Sequence, residues 1–261
     1  MSNPEVSAAT GVSLREEIKY RFLYFVNAYP AVFMPIARVR YRHLDDLLVD
    51  WDTDLVIEAF GRSGTTFANF AFLTAQNRPV KTVHHTHAAA QIITAVRMRI
   101  PTMVIVRPPL ESALSHMARH RISARPTLVA WIRYHRRILP YLDRIVVTTF
   151  DDMTRDFSAV IERINRTFGT SFVVWQHTKE NEEQVFEQIR KRNRFRFGEA
   201  PTPERLRALA LPTPEREALK EKFRIQLQAP ELAKLRERAQ SLYTQVTSSP
   251  GTSVNHEKVL A

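Results

Sequence analysis

A glycine-bearing turn stands directly after an apolar run rich in branched residues. It reads Gly61-Arg62-Ser63-Gly64-Thr65-Thr66, and an apolar segment of helical period follows from Phe67. Two glycines allow the backbone to curl so that successive N–H groups point inward, and the N-terminus of the helix adds positive partial charge. The pattern favours a phosphate-binding loop, with a strand-to-helix turn that holds no ligand as the alternative.

A cation ends a later apolar run. Loops that bind nucleotide triphosphates have the pattern G-x-x-x-x-G-K-[ST], in which Lys reaches the terminal phosphates and the hydroxyl holds magnesium. Here the glycines are closer together, no Lys precedes Thr65, and Arg107 follows the run 102–106, where magnesium-dependent hydrolases place an acid. A guanidinium repels a metal and attracts phosphate. The sequence therefore predicts a phosphorylated nucleotide handled without magnesium, and a magnesium-dependent kinase of the P-loop class is the alternative.

The loop resembles that of the sulfotransferases that use 3′-phosphoadenosine 5′-phosphosulfate (PAPS). The family loop reads P-K-S-G-T-T-W, which is similar to the segment from Gly61 to Phe67. The resemblance implies that Arg62 replaces the Lys that holds the bridging oxygen of the donor. It also implies that Phe67 replaces the Trp that stacks on adenine. The remaining residues implied to bind the donor are Gly61, Ser63, Gly64, Thr65 and Thr66.

A second landmark of this family is an Arg at the end of a strand with a Ser eight residues later, both holding the 3′-phosphate. Arg107 and Ser115 have this spacing. Pro108 and Pro109 end the strand and open a helix, so Ser115 falls about two turns along that helix. The basic residues of segment 190–196 stand where the family has its last 3′-phosphate motif, but the sequence does not assign their individual contacts.

Three histidines, His84, His85 and His87, follow another branched run. The family has Lys-Thr-His here, so the resemblance implies that His87 is the general base that deprotonates the acceptor hydroxyl, a task suited to an imidazole pKa of about 6.5. His85 replaces the family Lys, so either His85 is protonated or Arg62 carries more of the charge near the sulfonate. Two alternatives are hydrogen-bonded core histidines and a metal site, since His85 and His87 would share one face of an extended strand. We expect no metal.

Segments typical of strands and helices alternate from residue 54. Strands are predicted at 54–60, 80–84, 102–107 and 145–150, and helices at about 64–76, 87–99, 109–120, 127–141 and 156–168. This alternation predicts a three-layer α/β fold with a mostly parallel central sheet flanked by helices, and the resemblance implies a P-loop-like nucleotide-binding topology. Ligands in such folds bind beyond the carboxyl ends of the strands.

The chain has 261 residues, 44% hydrophobic and 25% charged, which is typical of a globular protein. We expect a single sulfotransferase-like α/β domain over 51–246 with a helical C-terminal part. An N-terminal helical, apolar segment over 1–50 would pack on or near the acceptor site, and a disordered tail would occupy 247–261. Thr-Pro-Glu at 202–204 and again at 213–215 predicts two helix starts.

The longest apolar stretch, from Phe22 to Ala37, is interrupted by Asn27, Pro30 and Pro35 and is too short to span a bilayer. Basic and aromatic residues flank it. A helix packed over the core and a segment lying on a membrane surface both fit this pattern. The absence of cysteine and the polar N-terminus predict a cytoplasmic location, with peripheral membrane association left open.

The formal net charge of +11 favours an anionic partner. A PAPS molecule accounts for part of this, and a non-enzymatic nucleic-acid-binding protein is a further alternative, although no helix-turn-helix, zinc-finger or RNA-binding signature appears. We predict a sulfotransferase that moves the sulfuryl group of PAPS to an acceptor hydroxyl by in-line displacement, without a nucleic-acid partner. The acceptor is a carbohydrate or a small lipid-like or aromatic alcohol, and the sequence does not determine which.

Overall fold

The computed structural model describes residues 13–44, 47–198, 202 and 214–248. Of the helix start predicted at 202–204 only Thr202 is described. Of the tail predicted over 247–261 only Thr247, the last residue of a helix, and Ser248 are described. The helix start predicted at 213–215 is described only in part, with Pro214 as the first described residue of a helix.

Four parallel strands form the central sheet. They are β1 (Leu55–Ala59), β2 (Thr82–His84), β3 (Thr102–Val106) and β4 (Val146–Thr149), in the spatial order β2-β1-β3-β4. Val56 of β1 is paired with Val83 on one side and Thr102 on the other, and Met103 is paired with Val146. Every residue of β1 and β3 is buried, as expected for strands covered on both faces. All four predicted strands are confirmed and are one or two residues shorter than predicted.

Eleven α-helices lie within the described ranges. They are α1 (Leu14–Val26), α2 (Pro30–Arg40), α3 (Thr65–Ala75), α4 (Ala89–Arg97), α5 (Pro109–His120), α6 (Ala124–Ile138), α7 (Phe150–Arg155), α8 (Phe157–Phe168), α9 (Lys179–Phe197), α10 (Pro214–Gln228) and α11 (Ala233–Thr247). Short 3₁₀ helices cover Leu139–Arg144 and Pro230–Leu232.

The five predicted helices are α3, α4, α5, α6 and α8. Only α6 is displaced: it was predicted at about 127–141 and instead begins at Ala124. Pro126 is tolerated there because the first-turn N–H groups of a helix have no intrahelical partner. Pro140 cannot continue the helix, and the chain tightens into the 3₁₀ helix from Leu139.

Alternate strand residues contact different helix layers. Leu55 and Ile57 pack with α3, α8 and α9, whereas Val104 and Val106 pack with α4, α5 and α6. The predicted three-layer α/β fold is therefore confirmed. Helices from the N-terminal and C-terminal segments, both of which the sequence predicted to be helical, cover the second layer: α1 and α11 pack on α6, α2 on α4 and α10 on α5.

The inner faces of the N-terminal helices pack against the core. Tyr20 and Tyr24 of α1 are buried, as are Phe33 and Met34 of α2. No single helix in the described part of the chain is long and apolar enough to cross a membrane. Taken together α1 and α2 have the length and composition for this, but they are bent by 112° relative to each other.

The order of the strands creates a crevice between β1 and β3. The chain runs from β1 outward to β2 and then returns past β1 to β3. The helix after β1, α3, lies on one face of the sheet and the helix after β3, α5, lies on the other. Such a switch point is where ligands bind in open parallel sheets, and the loop that starts at Gly61 and Arg107 both border it.

Buried histidines make the stability of this fold sensitive to acid. Burial lowers the pKa of His135 to about 3, against the opposing effect of its hydrogen bond to the carbonyl oxygen of Trp131, and it lowers the pKa of the half-buried His84 to about 4. The unfolded chain takes up these protons near pH 6.5, so stability falls as the pH drops below that value. Burial raises the pKa of Glu58 to about 7, so this one carboxyl group makes stability rise as the pH falls, opposite to the effect of the histidines.

We expect the free energy of unfolding, measured in urea at several pH values, to decrease steeply between pH 7 and pH 5. His135→Phe, which preserves the stacking on Trp131, should reduce this slope by up to about 1.4 kcal/mol per pH unit. His43→Gln removes an exposed imidazole and should keep the full pH dependence. Stability that is unchanged or rises on acidification would contradict the assignment of neutral buried histidines.

Candidate functional site

The loop after β1 has the curled backbone that the sequence predicts. Gly64 has φ +88° and is the N-cap residue of α3, and Arg62 also lies in the left-handed region with φ 72°. A Cβ atom on Gly61 would lie 2.7 Å from Cε1 of His116, and one on Gly64 would lie 2.8 Å from Cε of Met153. Because both glycines are in close contact with neighbouring side chains, α5 and α7 fix the shape of the loop.

Hydroxyl groups hold the rest of the loop. The Ser63 hydroxyl donates a hydrogen bond to the carbonyl oxygen of Phe60 at 2.8 Å, and Thr65 is buried in the first turn of α3. Oγ1 of Thr66 lies 3.5 Å from Nε2 of His85. The ring of Phe67, implied to stack on adenine, is half-buried and contacts the edge of Trp175.

Arg62, Arg107 and Ser115 meet at the switch point although they come from three segments of the chain. Nε of Arg62 donates to Oγ of Ser115 at 3.4 Å, and Nη1 of Arg107 donates to the carbonyl oxygen of Arg62 at 3.2 Å. The guanidinium of Arg107 also lies over the ring of Phe150, 4.7 Å from its centroid, and pairs with Glu111. Ser115 is only 3% exposed, so Arg62 covers it.

Several guanidinium groups approach the loop and repel one another. Burial and then the positive charges of Arg216, Arg119 and Arg107 together lower the pKa of Arg62 to about 9, against Glu217, which raises it. The pKa of Arg119 is lowered by burial and then by Arg196. Positive charge is therefore in excess around this loop, which is the condition for binding an anion.

The structure sorts the basic residues of α9 into two faces. Arg190 and Arg194 form ion pairs with Glu187 on the same helix. Arg192 instead donates to Nε2 of His85 at 3.0 Å, and the charge of Arg196 acts on His85 and Arg119. A spacing of four residues puts Arg192 and Arg196 on one side of the helix, and that side faces the loop.

The histidine segment departs from the extended strand that the sequence suggested. β2 ends at His84, and His85 and His87 have φ values of 75° and 52°, in the left-handed region. The idea that His85 and His87 share one face of a strand is therefore wrong. The guanidinium of Arg192 lies 3.0 Å from Nε2 of His85, so this ring nitrogen already has a partner.

The surroundings of His85 favour its neutral form. Its pKa lies well below the usual value, first because of burial and then because of electrostatic interactions with neighbours that include His84, His87 and Arg192. Of the two alternatives that the sequence left open, this favours the one in which Arg62 carries more of the charge near the sulfonate. The positive charge next to this segment resides on guanidinium groups.

A backbone contact holds the ring of His87 in one tautomer. Nδ1 lies 3.0 Å from the carbonyl oxygen of Ala59, so Nδ1 carries the hydrogen and Nε2 is the acceptor. Burial, against the raising effect of that hydrogen bond and together with the charges of Arg119 and Arg62, lowers the pKa of His87 to about 4. His87 is therefore in its basic form at neutral pH.

Glu58 of β1 holds the segment that carries His87, and the sequence analysis missed it. Its Oε1 accepts hydrogen bonds from the backbone N–H and the hydroxyl of Thr86, at 2.9 and 2.5 Å, and its Oε2 accepts from the backbone N–H of His87 at 3.1 Å. The side chain has no exposed surface. Its signal in the sequence is a single acid inside the apolar run Leu-Val-Ile-Glu-Ala.

A second missed group links α1 to the loop. The Tyr24 hydroxyl lies 3.0 Å from Nε2 of His116, and both side chains are buried. Burial raises the pKa of Tyr24, so the hydroxyl stays protonated and donates a hydrogen bond to Nε2 of His116. His116 in turn contacts Gly61, which places α1 directly behind the loop.

Comparison with known proteins finds only remote likeness. No family model and no curated protein matches the chain. Among solved structures, it is similar to the crystal structure of mouse sulfotransferase SULT7A1 complexed with PAP, with 10% sequence identity and a TM-score of 0.40, over 75% of this chain and 92% of that chain. At this level the likeness carries nothing about the site, whose chemistry follows from the residues of this chain.

We expect Glu58→Leu to lower the free energy of unfolding by about 2–4 kcal/mol, because it leaves the donors of Thr86 and His87 without their acceptor. The amides of Thr86 and His87 should also lose protection against hydrogen exchange. Glu111→Gln, which removes an exposed partner of Arg107, should cost less than about 1 kcal/mol. Equal effects of the two substitutions would show that Glu58 does not hold this segment.

Proposed function

We propose that this protein is a sulfotransferase that moves the sulfuryl group of PAPS to an acceptor hydroxyl. The observation that carries the proposal is the meeting of a curled loop, an excess of guanidinium charge and a neutral, correctly oriented imidazole at one switch point. The donor has two phosphorylated ends, which the guanidinium groups and the loop would bind. The acceptor must lose one proton, which the imidazole would remove.

The donor would bind through two groups of cations. Arg62 and the N–H groups at the start of α3 surround the position for the 5′-phosphosulfate, where the dipole of the helix adds positive charge. Arg107 lies at the end of β3, and Ser115 lies beneath Arg62. We assign the 3′-phosphate to Arg107 and Ser115, supported by their family spacing, with Arg192 and Arg196 adding charge from α9.

The proposed reaction is an in-line displacement at sulfur. Nε2 of His87 removes the proton from the acceptor hydroxyl while the acceptor oxygen forms its bond to sulfur. The bond between sulfur and the bridging oxygen breaks, and that oxygen leaves with the electron pair on the 5′-phosphate. Arg62, the loop N–H groups and the hydroxyls of Thr65 and Thr66 stabilise the charge that develops there.

Measuring nucleotide binding tests whether the side of α9 that carries Arg192 and Arg196, and not the side that carries Arg190 and Arg194, holds the donor. Arg192→Gln and Arg196→Gln should each weaken binding of adenosine 3′,5′-bisphosphate about ten-fold or more in isothermal titration calorimetry, since each removes a charge-assisted contact. Arg190→Gln and Arg194→Gln are matched controls on the same helix, and they should leave the dissociation constant nearly unchanged because those side chains pair with Glu187.

The same titration discriminates the two alternative functions. ATP with magnesium and a DNA duplex should bind much more weakly than the bisphosphate. Binding of ATP with magnesium, without binding of the bisphosphate, would favour a kinase. Tight binding of the DNA duplex would favour the nucleic-acid alternative. Either result would overturn the proposed function.

His87→Ala tests the assignment of the base. We expect turnover with labelled PAPS, screened against sugars, phenols and lipid alcohols, to fall by at least about 100-fold, the usual loss when a general base is removed. Binding of adenosine 3′,5′-bisphosphate should be largely retained, because His87 is neutral and the anion is held by guanidinium groups. His43→Ala, at an exposed position, should keep normal turnover. Near-normal turnover of the His87 variant would exclude it as the base.

A further inference from the structure

The N-terminal helices carry an outward apolar surface that nothing in the described structure covers. We call it the outer apolar face. Its residues are between 42% and 74% exposed, and they are Leu14, Ile18, Phe22, Leu23 and Phe25 of α1 and Val32, Ile36 and Val39 of α2. Most of these side chains are three or four positions apart, so each helix presents them as a stripe opposite its buried side.

The exposed apolar side chains of the protein are concentrated in its N-terminal part. Of the fourteen large apolar side chains that are exposed in the described residues, ten lie between Leu14 and Trp51. Isolated exposed apolar residues are normal on soluble proteins, but a contiguous group marks an interaction surface. The outer apolar face is therefore a docking surface.

Basic side chains surround the outer apolar face. Residues 13–44 contain six basic and two acidic residues, which gives this segment a formal net charge of +4. The six are exposed, and they are Arg15, Lys19, Arg21, Arg38, Arg40 and Arg42. An apolar stripe bordered by cations is the pattern of helices that lie in the interface of an anionic membrane.

The charge decides between a membrane and a second copy of the chain. In a symmetric dimer the same surface meets itself, so the two sets of basic residues would repel each other. An anionic lipid surface attracts them, at about 1 kcal/mol for each Lys or Arg near the surface. We propose that the outer apolar face docks this protein on the surface of an anionic membrane, with α1 and α2 lying in the interface rather than crossing it.

Docking in this way would bring the site close to the bilayer. The inner side of α1 places the Tyr24 hydroxyl 3.6 Å from the Cβ position of Gly61. Only the width of one helix, about 10 Å, then separates the outer apolar face from the loop. Docking does not depend on the proposed reaction.

Co-sedimentation of the full chain with vesicles tests the proposal. We expect binding to vesicles of phosphatidylcholine mixed with phosphatidylglycerol, and at least ten-fold weaker binding to phosphatidylcholine alone. The double variant Phe22→Ser/Val39→Ser should weaken binding by at least ten-fold. The triple variant Arg38→Gln/Arg40→Gln/Arg42→Gln should weaken it on the order of 100-fold, since each cation near the surface contributes about five-fold.

Matched controls come from exposed residues of other helices. Ile225→Ser and Lys222→Gln/Lys234→Gln/Arg238→Gln should bind the mixed vesicles as the parent chain does. Circular dichroism should show all variants folded, because every substituted side chain is exposed. Absence of binding to the mixed vesicles, or equal losses in the controls, would overturn the proposal. So would a dimer in sedimentation equilibrium that dissociates in Phe22→Ser/Val39→Ser.

Discussion

The site depends on like charges that are held together at the edge of a parallel sheet. Burial and then the charges of Arg216, Arg119 and Arg107 lower the pKa of Arg62 to about 9. Such an arrangement costs folding free energy, because the guanidinium groups are partly removed from water and lie close to one another. Burial is the main cause of the lowered pKa values of His85 and His87, and neighbouring arginines lower them further. The proposed anion site and the proposed base therefore share one partly buried, positively charged environment.

Backbone strain is stored next to the same charges. Arg62, His85 and His87 all have positive φ, which costs on the order of 1–3 kcal/mol for each side chain that carries a Cβ. A hydrogen bond from Arg107 holds the carbonyl of Arg62, and Glu58 accepts from the backbone of the histidine segment. Glycine would relieve the strain but would remove the guanidinium or the imidazole. Positive φ is not confined to the site, since Arg99 and Arg121 share it, but at these three positions the strained backbone carries a side chain of the proposed site.

The sequence predicts the layers better than the contacts within the site. Short runs rich in branched residues locate all four strands. The rule that ligands bind beyond the carboxyl ends of parallel strands puts Arg62 and Arg107 at the same end of the sheet. The contacts of Arg62 with Arg107 and Ser115 emerge only from the structure. Glu58 escapes this reasoning, since its partners are backbone groups 28 and 29 residues away that face it only through the unusual φ of His85 and His87. Local patterns carry no information about such a left-handed turn.

The sequence pattern of α9 distinguishes the roles of its arginines only in part. Glu183, Glu187, Arg190 and Arg194 stand three or four residues apart, a pattern that predicts ion pairs along one side of a helix. That pattern leaves Arg192 and Arg196 without an acid on their own side. It does not reveal that this side faces His85, because α9 is brought there by the packing of Val185 and Ile189 against the layer that contains α3. The position of the last cations is thus set by apolar contacts on the neighbouring stripe of the same helix.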